Sequence, residues 1–144
     1  MPRPDPALLD PARYAFHHAI STRFADVDPN RHLNNVALAA MMEDGRVRFN
    51  LAIGFAEAIV PRRPMVASMG IEYLAQGFFP DPVEVHCGIE SAGRSSLTIA
   101  QVLVQNGRAV AFARSIVVCT ENGAASPLPD AFRANLIANW SLKP

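Results

Sequence analysis

The chain reads as an α+β domain: one strand, one long helix, then four antiparallel strands in succession. Three observations predict this order. Apolar and polar residues alternate from Tyr14 to Phe24, the period of two that belongs to a strand. From Val36 to Ile53 no proline occurs and Ala, Leu and Met dominate, which suits a helix. After Pro64 the alternation returns and persists, broken by Gly93-Arg94-Ser95 and by Asn106-Gly107, the strongest short hairpin signal.

Taken in order, residues 1–13 hold four prolines and are expected to form an extended arm ahead of a single domain over 14–144. In the first strand Tyr14, Phe16, His18, Ile20, Thr22 and Phe24 share one face. The adjacent His17 and His18 face opposite ways and read as strand residues without a role. The strand should end near Phe24 and the helix begin near Asn34 or Asn35, because asparagine is a favoured N-cap. The helix is apolar nearly all round, so burial on most sides is expected. Its charges fall late, at favourable spacings: Glu43 with Arg46, and Asp44 with Arg48. Gly54 suits a C-cap, and Ala56 to Pro64 reads as a connection.

The later strands are expected at Met65 to Ala75, Val83 to Glu90, Ser96 to Gln105 and Arg108 to Thr120. A short amphipathic helix with Phe132, Leu136 and Trp140 four apart should close the chain after Pro129. Both parities of the last long strand are apolar, Val110, Phe112 and Ile116 against Ala111, Ala113 and Val117. One helix covers only one face of a sheet. The other face should therefore be hidden by a second subunit or by the terminal segments, and a homodimer or homotetramer is expected.

A length of 144 residues suits one domain with a real core. Half the residues are hydrophobic and 18% are charged, which argues against disorder. Thirteen basic and thirteen acidic side chains cancel, so the basic footprint of a nucleic-acid binder is missing. The N-terminus lacks the apolar core of a signal peptide, and no apolar run reaches bilayer length. A soluble cytoplasmic protein is expected. Cys87 and Cys119 then read as buried reduced thiols, and no Cys and His spacing suggests a metal site.

The chemistry should lie in RFADVDPNRHLNN, residues 23–35. Asp28, Asn30 and His32 fall in a turn at the positive end of the helix dipole, where free amides receive an anion or a polarised carbonyl. Asp28 is either a reactive carboxylate or an Asx-turn residue with local work only. Asp26 is expected to cap the turn or pair with Arg23. Glu43 is either half of a pair with Arg46 or a second carboxylate facing a pocket. Asn34 and Asn35 are most simply caps. Met41, Met42, Met65 and Met69 read as core or tunnel lining.

This stretch resembles the signature of hot-dog-fold acyl-CoA thioesterases of the 4-hydroxybenzoyl-CoA thioesterase type. It is equally similar to plant acyl-carrier-protein thioesterases, matched by Asp28, Asn30, His32 and then Leu33-Asn34-Asn35. Glu43-Asp44-Gly45-Arg46 is similar to the family's acidic pair, small residue and arginine, and Gly93-Arg94-Ser95-Ser96 resembles its Gly-x-Ser-Ser turn. The resemblance spans about residues 15–138 and implies one long helix wrapped by a curved antiparallel sheet of about five strands. It implies hydrolysis of an acyl-CoA thioester without a cofactor, with Asp28 as general base or nucleophile and the helix amides polarising the carbonyl. Asn30, His32 and Glu43 join Asp28 as catalytic candidates. Asn34, Asn35, Arg94, Ser95 and Ser96 are the substrate-binding candidates. Many relatives have glycine where this chain has Arg31, and often an aromatic residue where it has Ala37, Leu38 and Ala39. The alternatives are an acyl-carrier-protein substrate, for which Arg62-Arg63 is the one clustered basic candidate, a hydratase or dehydratase, or a non-catalytic acyl binder.

Overall fold

The computed structural model describes residues 3–144. Its frame is one antiparallel sheet built from β1 (Phe16–Ile20), β2 (Arg63–Tyr73), β3 (Val83–Ala92), β4 (Ser96–Gln105) and β5 (Arg108–Glu121). The strand order is β1-β3-β4-β5-β2, and the two-residue β6 (Ala124–Ala125) pairs with β5. Three helices complete it: α1 (Asn35–Ala52), α2 (Phe55–Ile59) and α3 (Asp130–Trp140). β1 and β2 are consecutive in sequence but lie on opposite edges of the main sheet. The segment between them must cross the sheet, and α1 makes that crossing over the inner face.

Local chemistry sets the ends of α1. Asn34 caps it, its Oδ1 accepting from the Val36 amide at 2.7 Å. Past its other end Gly54 takes φ +69°, a left-handed conformation that glycine adopts without steric cost. Between the caps, Leu38, Met42 and Phe49 point into the core against Val85, Cys87, Ile99 and Ala113. Gly45 permits the close approach: a Cβ there would sit 2.5 Å from the Val85 side chain. Buried Gln101 donates to the Met42 carbonyl at 2.8 Å, tying β4 to the middle of the helix.

The opposite face of the sheet carries a second apolar cluster of Tyr14, Ala100, Val102, Val104 and Phe112, against which Leu8, Leu9 and Leu142 pack. Terminal segments thus cover part of that face, one of the two covers expected. Cys87 faces the core and His86 the outer face, as adjacent strand residues must. Both cysteines are free and buried. No helix among the described residues is long and apolar enough to cross a membrane.

Several expectations need correction. The arm is not featureless: Pro6–Leu9 and Pro11–Arg13 form 3-10 turns, capped by Asp5 and Asp10, with proline in the first position where no amide is needed. The first strand stops at Ile20, and Phe24–Asp26 is a 3-10 turn rather than strand. Tyr14 does not share a face with Phe16; it lies outside β1 and its hydroxyl donates to the Leu8 carbonyl at 2.6 Å. The connection after α1 contains α2, and β2 starts at Arg63, earlier than expected. Within one protomer α1 is not buried on most sides. Val36 is 69% and Leu51 68% exposed, because a single helix on a sheet turns one flank outward.

Candidate active site

The loop from β1 to α1 folds back on itself. Val27 and Leu33 form an isolated antiparallel bridge. Within that bridge the Asp28 amide donates to the His32 carbonyl at 2.9 Å, and the Arg31 amide to the Asp28 carbonyl at 2.9 Å. Asp28 Oδ1 accepts from the amides of Asn30 at 2.9 Å and His32 at 3.1 Å. The local Asx-turn is therefore real, but it engages one carboxylate oxygen. The second oxygen accepts no hydrogen bond among the described residues.

Two cavities meet at this half-buried aspartate. One, of about 540 Å³, is lined by Asp28, Leu33, Asn35, Leu38, Tyr73 and the stretch 74–76. The other, of about 670 Å³, is lined by Phe24, Val27, Asp28, Pro29, Arg31 and Phe79. Asp28 thus lines open space next to the start of α1, where Asn35, the first residue of the helix, shares its cavity. Tyr73 Oη donates to the Asn35 carbonyl at 3.0 Å and fixes one wall.

A second loop, between β2 and β3, supplies the remaining wall. The Leu33 amide donates to the Gly77 carbonyl at 2.8 Å. A Cβ on Gly77 would lie 2.9 Å from the tip of the Leu33 side chain, so a larger residue there would push that side chain aside. Buried Gln105 clamps the same loop, accepting from the Phe78 amide and donating to the carbonyls of Phe78 and Asp81 at 2.7 and 2.8 Å.

The other candidates divide. His32 is half-buried, its ring edge-on to Phe78 at 5.5 Å. Asn30 is exposed and touches Asp28 through its amide only. Asn34 is the cap and lines a separate groove with Ile20, Arg23 and Met41, whereas Asn35 lines a cavity with Asp28. Asp26 pairs with Arg23 at 2.8 Å and accepts the Arg23 amide at 2.9 Å. The Arg23 hydrogen bond holds its carboxyl below the usual range. Glu43 lines neither cavity at Asp28; its 70%-exposed carboxylate stands 4.0 Å from the Arg46 guanidinium, which is buried against Met69 and Ser115.

Arg94, Ser95 and Ser96 are not beside Asp28 in the same protomer. They form the β3–β4 turn, while the Asp28 loop follows Ile20, which pairs with Val83 at the other end of β3. Ten residues of strand separate the ends, about 30 Å at the usual rise. Arg62 is not a free basic patch either: it is bonded to Ser126 and the Pro127 carbonyl. Burial pushes the Cys87 thiol up to about 12, which leaves no thiolate at neutral pH. Sequence reasoning missed the walls at Phe24, Gln76 and Phe79, and the Gln105 clamp. No periodicity marks them, since contacts between distant segments place them there.

A helix crossing one face of a curled antiparallel sheet, with β1 and β2 on opposite edges, is the hot-dog fold. Residues 22–136 match the model of the thioesterase-like superfamily, and the chain belongs to that family. It is similar to a thioesterase from Thermus thermophilus solved with coenzyme A and Zn, at 31% identity and TM-score 0.76, covering 88% of this chain and 95% of that one. It is also similar to a predicted thioesterase from Bacillus stearothermophilus, at 29% identity and TM-score 0.78, covering 90% and 98%. A Staphylococcus aureus protein solved in complex with CoA, 16% identical with TM-score 0.79 over 90% and 85%, shares the fold. No curated protein matches the chain.

Proposed function

We propose that the protein hydrolyses acyl-CoA thioesters, with the Asp28 carboxylate as general base or nucleophile. One observation carries this reading. Two backbone amides pin one oxygen of Asp28, while the side chain faces two cavities at the N-terminus of α1. The pinned oxygen fixes the orientation, and the other oxygen is free to take a proton from water or to attack the carbonyl carbon. Amides at the start of α1 receive the developing oxyanion, at roughly 3–4 kcal/mol for a well-placed donor. The edge of His32 and the wall at Tyr73 confine the carbonyl. The tethering of Arg62 favours CoA over a carrier protein, since it leaves Arg63 as the single exposed arginine of the expected basic pair.

The working unit in this proposal is a homodimer or a dimer of two dimers. Edge strand β2 leaves Met65 and Val66 exposed, and α1 leaves Val36, Val47 and Leu51 exposed. An open strand edge and an exposed apolar helix flank are each a poor surface for a lone protomer. Pairing through them turns one copy around, so that Arg94, Ser95 and Ser96 of one chain reach the coenzyme bound at Asp28 of the other.

The test is release of free thiol from acyl-CoAs of several chain lengths and from an aryl-acetyl-CoA. Asp28→Asn is expected to lower turnover about a thousandfold, and Asp26→Asn to retain it at neutral pH. A wild-type chain that releases thiol from none of these substrates sinks the reading.

A further inference from the structure

Arg31 takes φ +66°. The other non-glycine residues at positive φ, Asn106 and Asn122, are asparagines followed by glycine between strands, the type that tolerates this region. An arginine gains nothing from the conformation, which glycine would adopt freely. A residue held against its backbone preference beside a reactive group marks a position worth reading for function. Among the described residues the Arg31 guanidinium has no hydrogen-bond or ion-pair partner. It lines the 670 Å³ cavity together with Asp28, Phe24 and Phe79. The two phenyl rings meet edge to face at 6.0 Å and form an apolar wall, with Phe24 78% exposed.

One cavity therefore offers a carboxylate for the chemistry, a hydrocarbon wall and an uncommitted cation. We infer that Arg31 is a specificity-determining residue that receives a carboxylate at the far end of a short acyl group. The inference rests on the hydrolase reading above and names its substrate class. The hydrogen bond from the Arg31 amide to the Asp28 carbonyl keeps both side chains on one small turn. With the thioester carbon at Asp28, an acyl group along the Phe24–Phe79 wall brings its end to Arg31. The coenzyme's phosphates lie at the far end of the long pantetheine arm. The guanidinium also offsets the repulsion that Asp28 would exert on an anionic acyl group, and its planar fork suits a carboxylate.

The experiment uses inert thioethers, so it does not depend on turnover. Affinities of S-butyl-CoA and S-(3-carboxypropyl)-CoA are measured by calorimetry on the wild type, Arg31→Gly and Arg31→Lys. The wild type should prefer the carboxylated analogue. Arg31→Gly should cut that preference about tenfold, the scale of one charge-assisted hydrogen bond, and Arg31→Lys should keep part of it. Melting temperature should not fall in Arg31→Gly, since glycine suits the backbone. S-butyl-CoA against S-butyl-pantetheine forms the second arm. Loss of the coenzyme preference alone would assign Arg31 to phosphate and overturn the inference. So would an unchanged carboxylate preference, or a wild type that shows none. A chain that hydrolyses no thioester fails the functional reading instead, and the thiol assay separates the two.

Discussion

The two ends of the sheet are built differently. At the Asp28 end, two loops brace one another through side chains and backbone: Thr22 to the Asp81 carbonyl at 3.0 Å, Leu33 to Gly77, and Gln105 to Phe78 and Asp81. At the other end the Gly93–Ser96 turn is held through its main chain, with the Arg94 and Ser95 carbonyls accepting from Leu128 and Cys119 at 2.8 Å each. One end is a rigid frame around open cavities. The other leaves the Arg94 and Ser95 side chains uncommitted. A frame suits bond-breaking, which needs atoms fixed in place, and free side chains suit gripping a ligand from outside. The ends are a strand's length apart, so the proposed site requires two protomers to bring Asp28 and the turn together.

Among changes away from Asp28 itself, the largest effect should come from denying the two ends a partner. Met65→Lys with Val66→Lys places two charges on the exposed edge of β2 and should yield monomers by light scattering. Turnover should fall by roughly a hundredfold, as expected when site residues are removed from reach. An active monomer would break the comparison.

Loosening the frame should have a middle-sized effect. Gln105→Ala removes the three bonds that hold residues 78–81 and should cost about 2–3 kcal/mol in denaturant unfolding, near one per bond. Turnover should drop by about tenfold, because the wall at Phe78 and Phe79 moves while Asp28 stays.

The smallest effect is a pH dependence. The Arg23 hydrogen bond depresses the Asp26 carboxyl, so the folded chain binds this proton less readily than the unfolded chain. Its stabilisation is complete above the ordinary carboxylate pKa and is lost as pH falls through the lowered folded value. Melting temperature should therefore decline on acidification through and below the carboxylate range, and Asp26→Asn should flatten that limb. The effect is modest because Arg23 is largely exposed and its attraction is screened by water.

What the sequence disclosed was local. The Asn34 cap, the left-handed Gly54, the Asn106-Gly107 hairpin and the span Ser96–Gln105 all follow from neighbours a few residues apart. The alternation of Val83, Val85 and Cys87 marked one face of β3, and in the fold that face meets the helix. The end of β1 was hidden because Thr22 is tied to Asp81, 59 positions away, and because Arg23 turns to Asp26. The exposed flank of α1 was hidden for a different reason: Val36, Val47 and Leu51 are as apolar as core residues, and composition does not say which of them turn away from the sheet. Asp28 was legible as a turn residue facing the helix start, whereas its cavity walls come from segments that only the crossing of α1 brings near.

The most direct measurement mixes two variants that are each expected to be inactive, Asp28→Asn and the triple variant Arg94→Ala, Ser95→Ala, Ser96→Ala. After unfolding and refolding together at equal concentration, half the dimers are hybrids, and each hybrid holds one intact site if Asp28 and the turn come from different chains. Thiol release should return to about a quarter of the wild-type value. Hybrids that form, as shown by a tag on one variant, yet release no thiol would contradict a site shared between the two ends.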